Sequence, residues 1–344
     1  MYKAKEINAD MYAAAKEKWK RIAKPLGSLG AFEDIVSQIA AVQGTLNIDV
    51  SKRCVIVVCA DNGVVEEGVT QTDSSVTAVV AENIVYGEAT VCIAAKTANA
   101  EVIPVDIGVA CDTVGTLNKK IAYGTKNMAR VKAMTRGETE RAIETGIELA
   151  CDYAKQGYKI IVTGEMGIGN TTTSAAVASV LLGKKVREVT GRGAGLSDKG
   201  LERKISVIEK AIALHKPDKD DIIDVLSKVG GLDLAAMTGV FIGGAMCGVS
   251  VVIDGFISSV AAMCASRLCP KCEDFMIASH LSREGCMEEI FKTLGKTAVI
   301  KAGMFPGEGA GGVMLLPLLD MAVNVFKEMP TFEEIKIDAY KEFK

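Results

Sequence analysis

Short apolar runs that end in a glycine or an acid, each followed by a helical pattern, constrain the fold more than any other feature of this sequence. Cys54–Ala60 runs into Asp61-Asn62-Gly63, Glu101–Val105 into Asp106-Ile107-Gly108, and Lys159–Thr163 into Gly164-Glu165-Met166-Gly167-Ile168-Gly169-Asn170. Val249–Ile253 stops at Asp254-Gly255 and Asp274–Ala278 at Ser279-His280, while Thr297–Ala302 leads to Phe305-Pro306-Gly307-Glu308-Gly309. Uninterrupted apolar strands alternating with helices build parallel sheets covered on both faces. The fold class is α/β. The stretch to Lys20 reads as a charged amphipathic helix, and Phe32, Ile35, Ile39 and Val42 recur at helical spacing. No internal repeat or Pro/Ser-rich linker divides the chain, and its two helical ends are expected to pack together as a smaller appendage.

Composition removes several classes of function. With 40 Lys and Arg against 43 Asp and Glu, and no basic block, the chain has no electrostatic footprint for nucleic acid. Two histidines, His215 and His280, are too few for a multi-His metal centre. The ten cysteines fall mostly in apolar runs, where a free thiol behaves as a small hydrophobe. No secretory leader is visible, so a cytoplasmic location with free thiols is expected. Cys269-Pro270-Lys271-Cys272 reads as an inert pair; a zinc reading would need Cys264, His280 or Cys286 as further ligands. Leu234–Ile253 is uncharged and long enough to cross a bilayer. Its glycines and the absence of a flanking Lys/Arg cluster favour a buried helix turning into a buried strand, so no membrane partner is expected.

Ligands of an open parallel sheet bind beyond the carboxyl ends of the strands. Those ends carry Asp61, Asp106, Glu165, Asp254, Ser279 and Glu308. Asp61 and Asp254 fit either a site or a cap on the following helix. Glu165 and Glu308 lie between glycines that let a ligand approach the backbone, which favours function. Gly164 through Ser174 leads into an Ala-rich helix whose N-terminus suits a phosphate. Gly191-Arg192-Gly193-Ala194-Gly195 adds a second flexible loop with a cation, and Lys204 follows on the next helix.

No GxxxxGK[ST] motif occurs, which disfavours ATP-driven phosphoryl transfer. Gly307–Gly312 does match GxGxxG, but Glu308 inside that loop would repel a pyrophosphate, so an NAD-dependent oxidoreductase is the weaker alternative. A phosphate cradle with two isolated carboxylates points to chemistry at a sugar carbon. There a carboxylate can stabilise an oxocarbenium-like transition state or take a proton from the nucleophile. The residues alone lead to a glycosyl- or phosphoribosyl-type transferase.

At these same residues the chain resembles the nicotinate-nucleotide:dimethylbenzimidazole phosphoribosyltransferase family, which activates the lower ligand of cobamides. Matching strings run in order along nearly the whole chain: Lys24–Gly30, Glu66-Glu67-Gly68-Val69, GEMGIGNTT from Gly164, Gly191-Arg192-Gly193 and Val229-Gly230-Gly231. Asp254–Ile257, Ser279-His280-x-Ser282, Gly307-Glu308-Gly309 and Met329-x-Thr331-Phe332 complete the series. The resemblance implies a Rossmann-like parallel sheet with helices on both faces, in a large domain of residues 31–310. A small helical domain would come from residues 1–30 and 311–344, and the protein would be a homodimer or a heterodimer with a related chain. It implies transfer from nicotinate mononucleotide to an aromatic acceptor, with inversion at the anomeric carbon and without a cofactor or metal. Glu308 corresponds to the general base and Glu165 to a carboxylate of the nucleotide site. Gly167, Gly169, Asn170, Gly193, Lys204 and Ser282 correspond to positions around the ribose phosphate. Val79, Phe305 and Pro306 fall on the acceptor side, and Thr70 and Gly307 are further candidates for substrate contact.

Three departures concern the acceptor. The family's Asp-His-Gly is Asp61-Asn62-Gly63 here, a Gln that contacts the acceptor ring is Val79, and Arg-Leu before the Gly-Glu pair is Phe305-Pro306. These changes are expected to make the acceptor pocket more apolar, so that a phenol or p-cresol would fit as well as a benzimidazole. A free phenol titrates near ~10, and a buried carboxylate of raised pKa could help remove its proton. A different class of function is a non-catalytic partner subunit of a heterodimeric transferase, which retention of both Glu165 and Glu308 disfavours.

Overall fold

The computed structural model describes residues 2–340. Six strands form one sheet: β1 (Arg53–Ala60), β2 (Glu101–Gly108), β3 (Leu117–Asn118), β4 (Ile160–Met166), β5 (Ser250–Ile253) and β6 (Met276–Ala278). They pair in the order β3-β2-β1-β4-β5-β6 with every ladder parallel. This is the doubly wound, Rossmann-like order. The winding reverses between β1 and β4, which opens a crevice at their carboxyl ends.

Both faces are covered, as the continuous apolar runs require. On one side lie α1 (Ala9–Arg21), α2 (Ala31–Gln43), α3 (Ser75–Tyr86), α4 (Thr90–Ala98) and, from the far end of the chain, α13 (Ala310–Glu328). On the other lie α5 (Arg136–Lys155), α6 (Asn170–Leu182), α7 (Val186–Val189), α8 (Asp198–His215) and α9 (Ile222–Val229). They are joined there by α10 (Leu232–Cys247), α11 (Phe256–Leu268) and α12 (Met287–Thr293). The central strand shows why: Cys54, Ile56 and Val58 of β1 enter one core, Val55, Val57 and Cys59 the other. Successive side chains of a strand point to opposite faces, so a strand buried on both sides has no polar phase.

Two strand expectations need correction. Thr297–Ala302 is not a strand of the sheet; it makes one parallel bridge, between Ile300 and His280, because β6 ends at Ala278 and leaves only residues 279–281 for pairing. Conversely β3 is two exposed residues, too short to leave an apolar run in the sequence.

The Gly-rich segment 234–253 is α10 followed by β5, buried almost throughout. Its glycines allow α10 to lie directly on α5. A Cβ on Gly146 would come within 1.9 Å of the Ala236 carbonyl oxygen, and one on Gly239 within 2.0 Å of the Ile143 carbonyl oxygen. This contact overturns the expectation that all thiols are free. Cys151 and Cys247, at the facing ends of α5 and α10, are disulfide-bonded with their Cα atoms 5.6 Å apart at a sequence separation of 96. Cys269 and Cys272 are buried and unbonded just before β6, and His280, beyond its other end, sits in a different environment.

The chain ends meet. Ile22 bridges Thr331 antiparallel, the Ala23 N–H donates to the Pro330 carbonyl (2.9 Å), and Trp19 packs on Phe326 with ring centroids 4.8 Å apart. The same helix, α13, presses Val313, Leu315 and Leu316 into the core beside β1. Arg53 at the start of β1 grips its Asp320 with two bonds of 2.6 and 2.7 Å.

Candidate active site

The loop from β4 to α6 crosses the crevice at the reversal point. Gly169, at φ +94°, precedes α6, which has no side-chain cap; the Asn170, Thr172 and Thr173 N–H groups donate to the Gly167 and Gly169 carbonyls, so what this end offers a ligand is chiefly the positive end of the helix dipole. Gly167 allows the loop to sit down: a Cβ there would be 2.3 Å from the Ala60 carbonyl oxygen and 2.7 Å from Asp233 Oδ2. Beside this turn Gly167, Gly169, Asn170, Gly193, Lys204 and Thr70 line a cavity of about 90 Å³. It adjoins a second cavity of about 330 Å³ lined by Glu165, Asn170, Gly193, Ser282, Phe305, Pro306 and Gly307, with Asp254 and His280.

Lys204 decides the character of the smaller cavity. The side chain is 1% exposed, and its ammonium donates to Thr171 Oγ1 (2.8 Å) and the Gly191 carbonyl (3.2 Å), both neutral. Burial pushes its pKa down to about 8, against a weaker opposing pull from Glu284. A buried cation without an ion-pair partner costs on the order of several kcal/mol. Gly193, at φ +56°, passes close over it, where a Cβ would lie 3.5 Å from the Nζ. Arg192 lines the same cavity, but its guanidinium is engaged by Asp198 and the Leu196 carbonyl.

Glu165 lies at the floor of the larger cavity and accepts from the Asn170 amide. Burial, then the charges of Asp233 and Asp254, raise its pKa well above the usual carboxylate range. Burial likewise raises Asp233 to about 6 and Asp254 to about 7. Asp254 does not cap the helix that follows it. Its Oδ1 accepts from the Gly312 N–H at 2.7 Å, clamping the first turn of α13. Asp61 accepts from the Ala110 N–H at 2.8 Å and lines neither cavity, and Asp106 is tied to Val109, Thr113 and Lys120. Asp106 is held wholly within the fold, while Asp61 Oδ1 is buried with no hydrogen-bond partner among the described residues.

Glu308 follows Gly307, where a Cβ would lie 3.4 Å from Glu165 Oε1, but Glu308 itself lines neither cavity. Its backbone lies against β4, where a Cβ on Gly164 would meet the Glu308 carbonyl oxygen at 2.3 Å. Glu308 has φ +60°, an uncommon conformation for a residue with a side chain and one that clusters at functional sites. Its carboxylate accepts from the Val91 N–H (3.1 Å) in the first turn of α4. The preceding residues 305–307 form the cavity wall. Phe305 is 55% exposed with the Arg283 guanidinium 5.6 Å from its ring centroid. Val79 points outward from α3 at 57% exposure and lines neither cavity.

The expectation that Asn62 makes the acceptor pocket more apolar is corrected. Asn62 is fully buried beneath the β4–α6 loop, between Asp233 (3.4 Å) and Thr173 (3.4 Å), and lines neither cavity. Sequence reasoning also missed Asp233 as a member of the acid cluster and Thr171 as the partner of Lys204. The signals were present: Asp233 lies two residues after Val229-Gly230-Gly231, and Thr171 lies within GEMGIGNTT.

Residues 4–337 match the phosphoribosyltransferase family. The chain is 44% identical over 339 residues to the nicotinate-nucleotide–dimethylbenzimidazole phosphoribosyltransferase of Ruminiclostridium cellulolyticum, covering 98% of this chain and 96% of that one. The chain belongs to the nicotinate-nucleotide:dimethylbenzimidazole phosphoribosyltransferase family. The enzyme of the same name from Clostridium acetobutylicum is 45% identical over 325 residues, 94% of this chain and 92% of that one. The crystal structure of CobT from Thermus thermophilus superposes with a TM-score of 0.91 at 34% identity, covering 96% of this chain and all of that one. This chain is therefore a phosphoribosyltransferase, a pentosyl-transferring enzyme, and the oxidoreductase alternative falls. The GxGxxG match at Gly307–Gly312 is the clamped start of α13, not a dinucleotide loop.

Proposed function

We propose that this enzyme moves the ribose 5-phosphate of nicotinate mononucleotide onto an aromatic lower-ligand base for cobamide synthesis. The observation that carries the reading is Lys204, a buried ammonium with only neutral partners, at the open N-terminus of α6. A phosphate dianion supplies the missing charge, meets the positive end of α6 and restores the ammonium's full protonation. The ribose then extends into the larger cavity past Glu165, with its anomeric carbon toward Gly307 and Glu308.

An acceptor nitrogen attacks that carbon from the face opposite the leaving group. The new C–N bond forms as the bond to nicotinate breaks with its electron pair. Nicotinate leaves readily because its ring nitrogen was formally cationic, so no general acid is needed. The acceptor's N–H proton passes to Glu308, which the Val91 N–H orients. Glu165 and its neighbouring acids supply an anionic environment for the developing oxocarbenium charge. The product is the α-ribosyl phosphate.

Because the Glu308 carboxylate faces α4, the acceptor enters from the α3–α4 side, where Val79, Phe305 and Pro306 stand in place of polar groups. Benzimidazole is the acceptor that the relatives' names indicate, and this apolar rim extends the range to phenols such as p-cresol. The same side offers a surface for self-association: Tyr86, Ile93 and Met321 of α3, α4 and α13 are each more than half exposed, and α4 packs beside α13. These exposed side chains support the reading of a cytoplasmic dimer, of like or related chains, with the large domain at residues 31–310 and the two chain ends as the small one.

The test incubates the protein with nicotinate mononucleotide and, in parallel, dimethylbenzimidazole, adenine, phenol and p-cresol. Nicotinate release matched by α-ribosyl phosphate supports the reading, and release with none of them sinks it. Turnover of benzimidazole alone removes the phenols. Sedimentation at micromolar concentration settles the dimer, and a monomer active only with a related chain would favour the heterodimer.

A further inference from the structure

His280 is one of two histidines in the chain, 1% exposed, on the wall of the larger cavity. Its protonation follows from its neighbours. Ser279 Oγ lies 2.6 Å from the Ile253 carbonyl oxygen and 3.1 Å from that of Asp254. Both carbonyls only accept, so the single hydroxyl proton points at them; a 2.6 Å contact between two oxygens without a proton would be repulsive. Ser279 Oγ therefore turns a lone pair toward His280 Nδ1 at 3.1 Å, and Nδ1 must carry the ring proton. Nε2 is left as a bare acceptor, and it has no hydrogen-bond partner although it is buried. Burial also lowers the ring's pKa to about 4, so it stays neutral at physiological pH.

The ring cannot turn away to find a partner. A Cβ on Gly311 would come within 2.2 Å of the His280 Cε1 and 2.4 Å of Nδ1, so the first turn of α13 is packed against this edge of the imidazole. A Cβ on Gly255, another residue of the cavity wall, would stop 3.9 Å from Nε2. A fixed, unprotonated, unsatisfied acceptor in a cavity calls for a ligand that donates. The nucleotide's phosphate and carboxylate only accept. Its ribose hydroxyls are its donors.

We propose that His280 Nε2 accepts a hydrogen bond from a ribose hydroxyl of the bound nucleotide and so fixes the sugar's rotation above Glu165. This makes His280 a positioning residue, and it rests on the phosphoribosyl reading of the cavity. A phosphate held at one end leaves the ribose free to swivel. A second anchor on the ring itself sets the angle at which the anomeric carbon meets the acceptor.

The two histidines make the test clean. His215 Nε2 lies 2.8 Å from the Met128 carbonyl oxygen, so its proton is on Nε2, the opposite tautomer. In protein labelled with [15N]histidine, His280 shows an unprotonated Nε2 resonance, assigned by its loss in His280→Ala. Saturation with nicotinate mononucleotide moves that resonance upfield and leaves His215 in place. Of the 2′-deoxy and 3′-deoxy nucleotides, one fails to move it. Kinetically, His280→Ala loses about tenfold in kcat/KM with the parent nucleotide but matches wild type with that deoxy analogue, and His280→Gln restores part of the loss. A protonated Nε2 in the free protein overturns the proposal. So does a resonance that ignores a nucleotide shown by calorimetry to bind and by nicotinate release to react. Failure of the nucleotide to bind or react at all strikes instead at the phosphoribosyl reading.

Discussion

The phosphate end and the acceptor end of the crevice are built on opposite principles. At the proposed phosphate end the charged group is closed in: Lys204 is buried, Gly167 and Gly193 press backbone against their surroundings, and α6 points its N-terminus at about 90 Å³ of space. At the proposed acceptor end Phe305 and Val79 are more than half exposed, and the Glu308 carboxylate is held by one backbone N–H. The first is built around a buried cation; the second is a rim. On the function proposed above, such an enzyme would hold its nucleotide strictly and could change its acceptor through a few surface residues.

That contrast can be broken at either end. The largest effect belongs to Glu308→Gln, which keeps an oxygen for Val91 but cannot take a proton. We expect kcat to fall by about 10²–10⁴ while KM for the nucleotide stays within a few-fold. A large rise in KM instead would place Glu308 in binding. Next comes Lys204→Met, which should raise KM for the nucleotide on the order of 10–100-fold with a smaller change in kcat. The ligand-free variant should melt higher than wild type, since it no longer buries an uncompensated cation. In the wild type the nucleotide's KM should rise above about pH 8 as Lys204 loses its proton. A flat profile from pH 7 to 9 would contradict the assignment.

Asp233 tests the acids beneath both ends. Its pKa is raised from 3.8 to about 6, so the folded state binds the proton more tightly than the unfolded chain does. Stability from this group is fully present below pH 4 and lost as pH rises to about 6, on the order of 3 kcal/mol. Asp233→Asn should flatten that part of the melting-temperature profile, and calorimetry at pH 4.5 and 7 checks it. The smallest effect is Val79→Gln, which should shift preference between benzimidazole and p-cresol by only a few-fold, measured by competition, with the nucleotide's KM untouched.

What the sequence disclosed follows from the range over which its signals act. The parallel strands were legible because each writes its burial into consecutive residues, as Cys54–Ala60 does. Glu165, Glu308 and Lys204 were legible because each sits in or beside a glycine loop. Three features depended on contacts between distant segments and were not. Cys151 and Cys247 pair only because Gly146 and Gly239 let two helices touch. Asn62 departs from the family's histidine beneath the phosphate loop rather than in the acceptor pocket. Asp254 caps a helix more than fifty residues further on, a partner that local capping rules cannot name.

The helix that follows Glu308 is fastened along its whole length, by Asp254 at its start, Arg53 on its Asp320, and the Ile22–Thr331 bridge just beyond its end. Trimming the first twenty-odd residues would therefore unlatch the far end of the rod on which Glu308, the proposed base, is mounted. A lesion at the amino terminus should register as lost turnover while the nucleotide is still held.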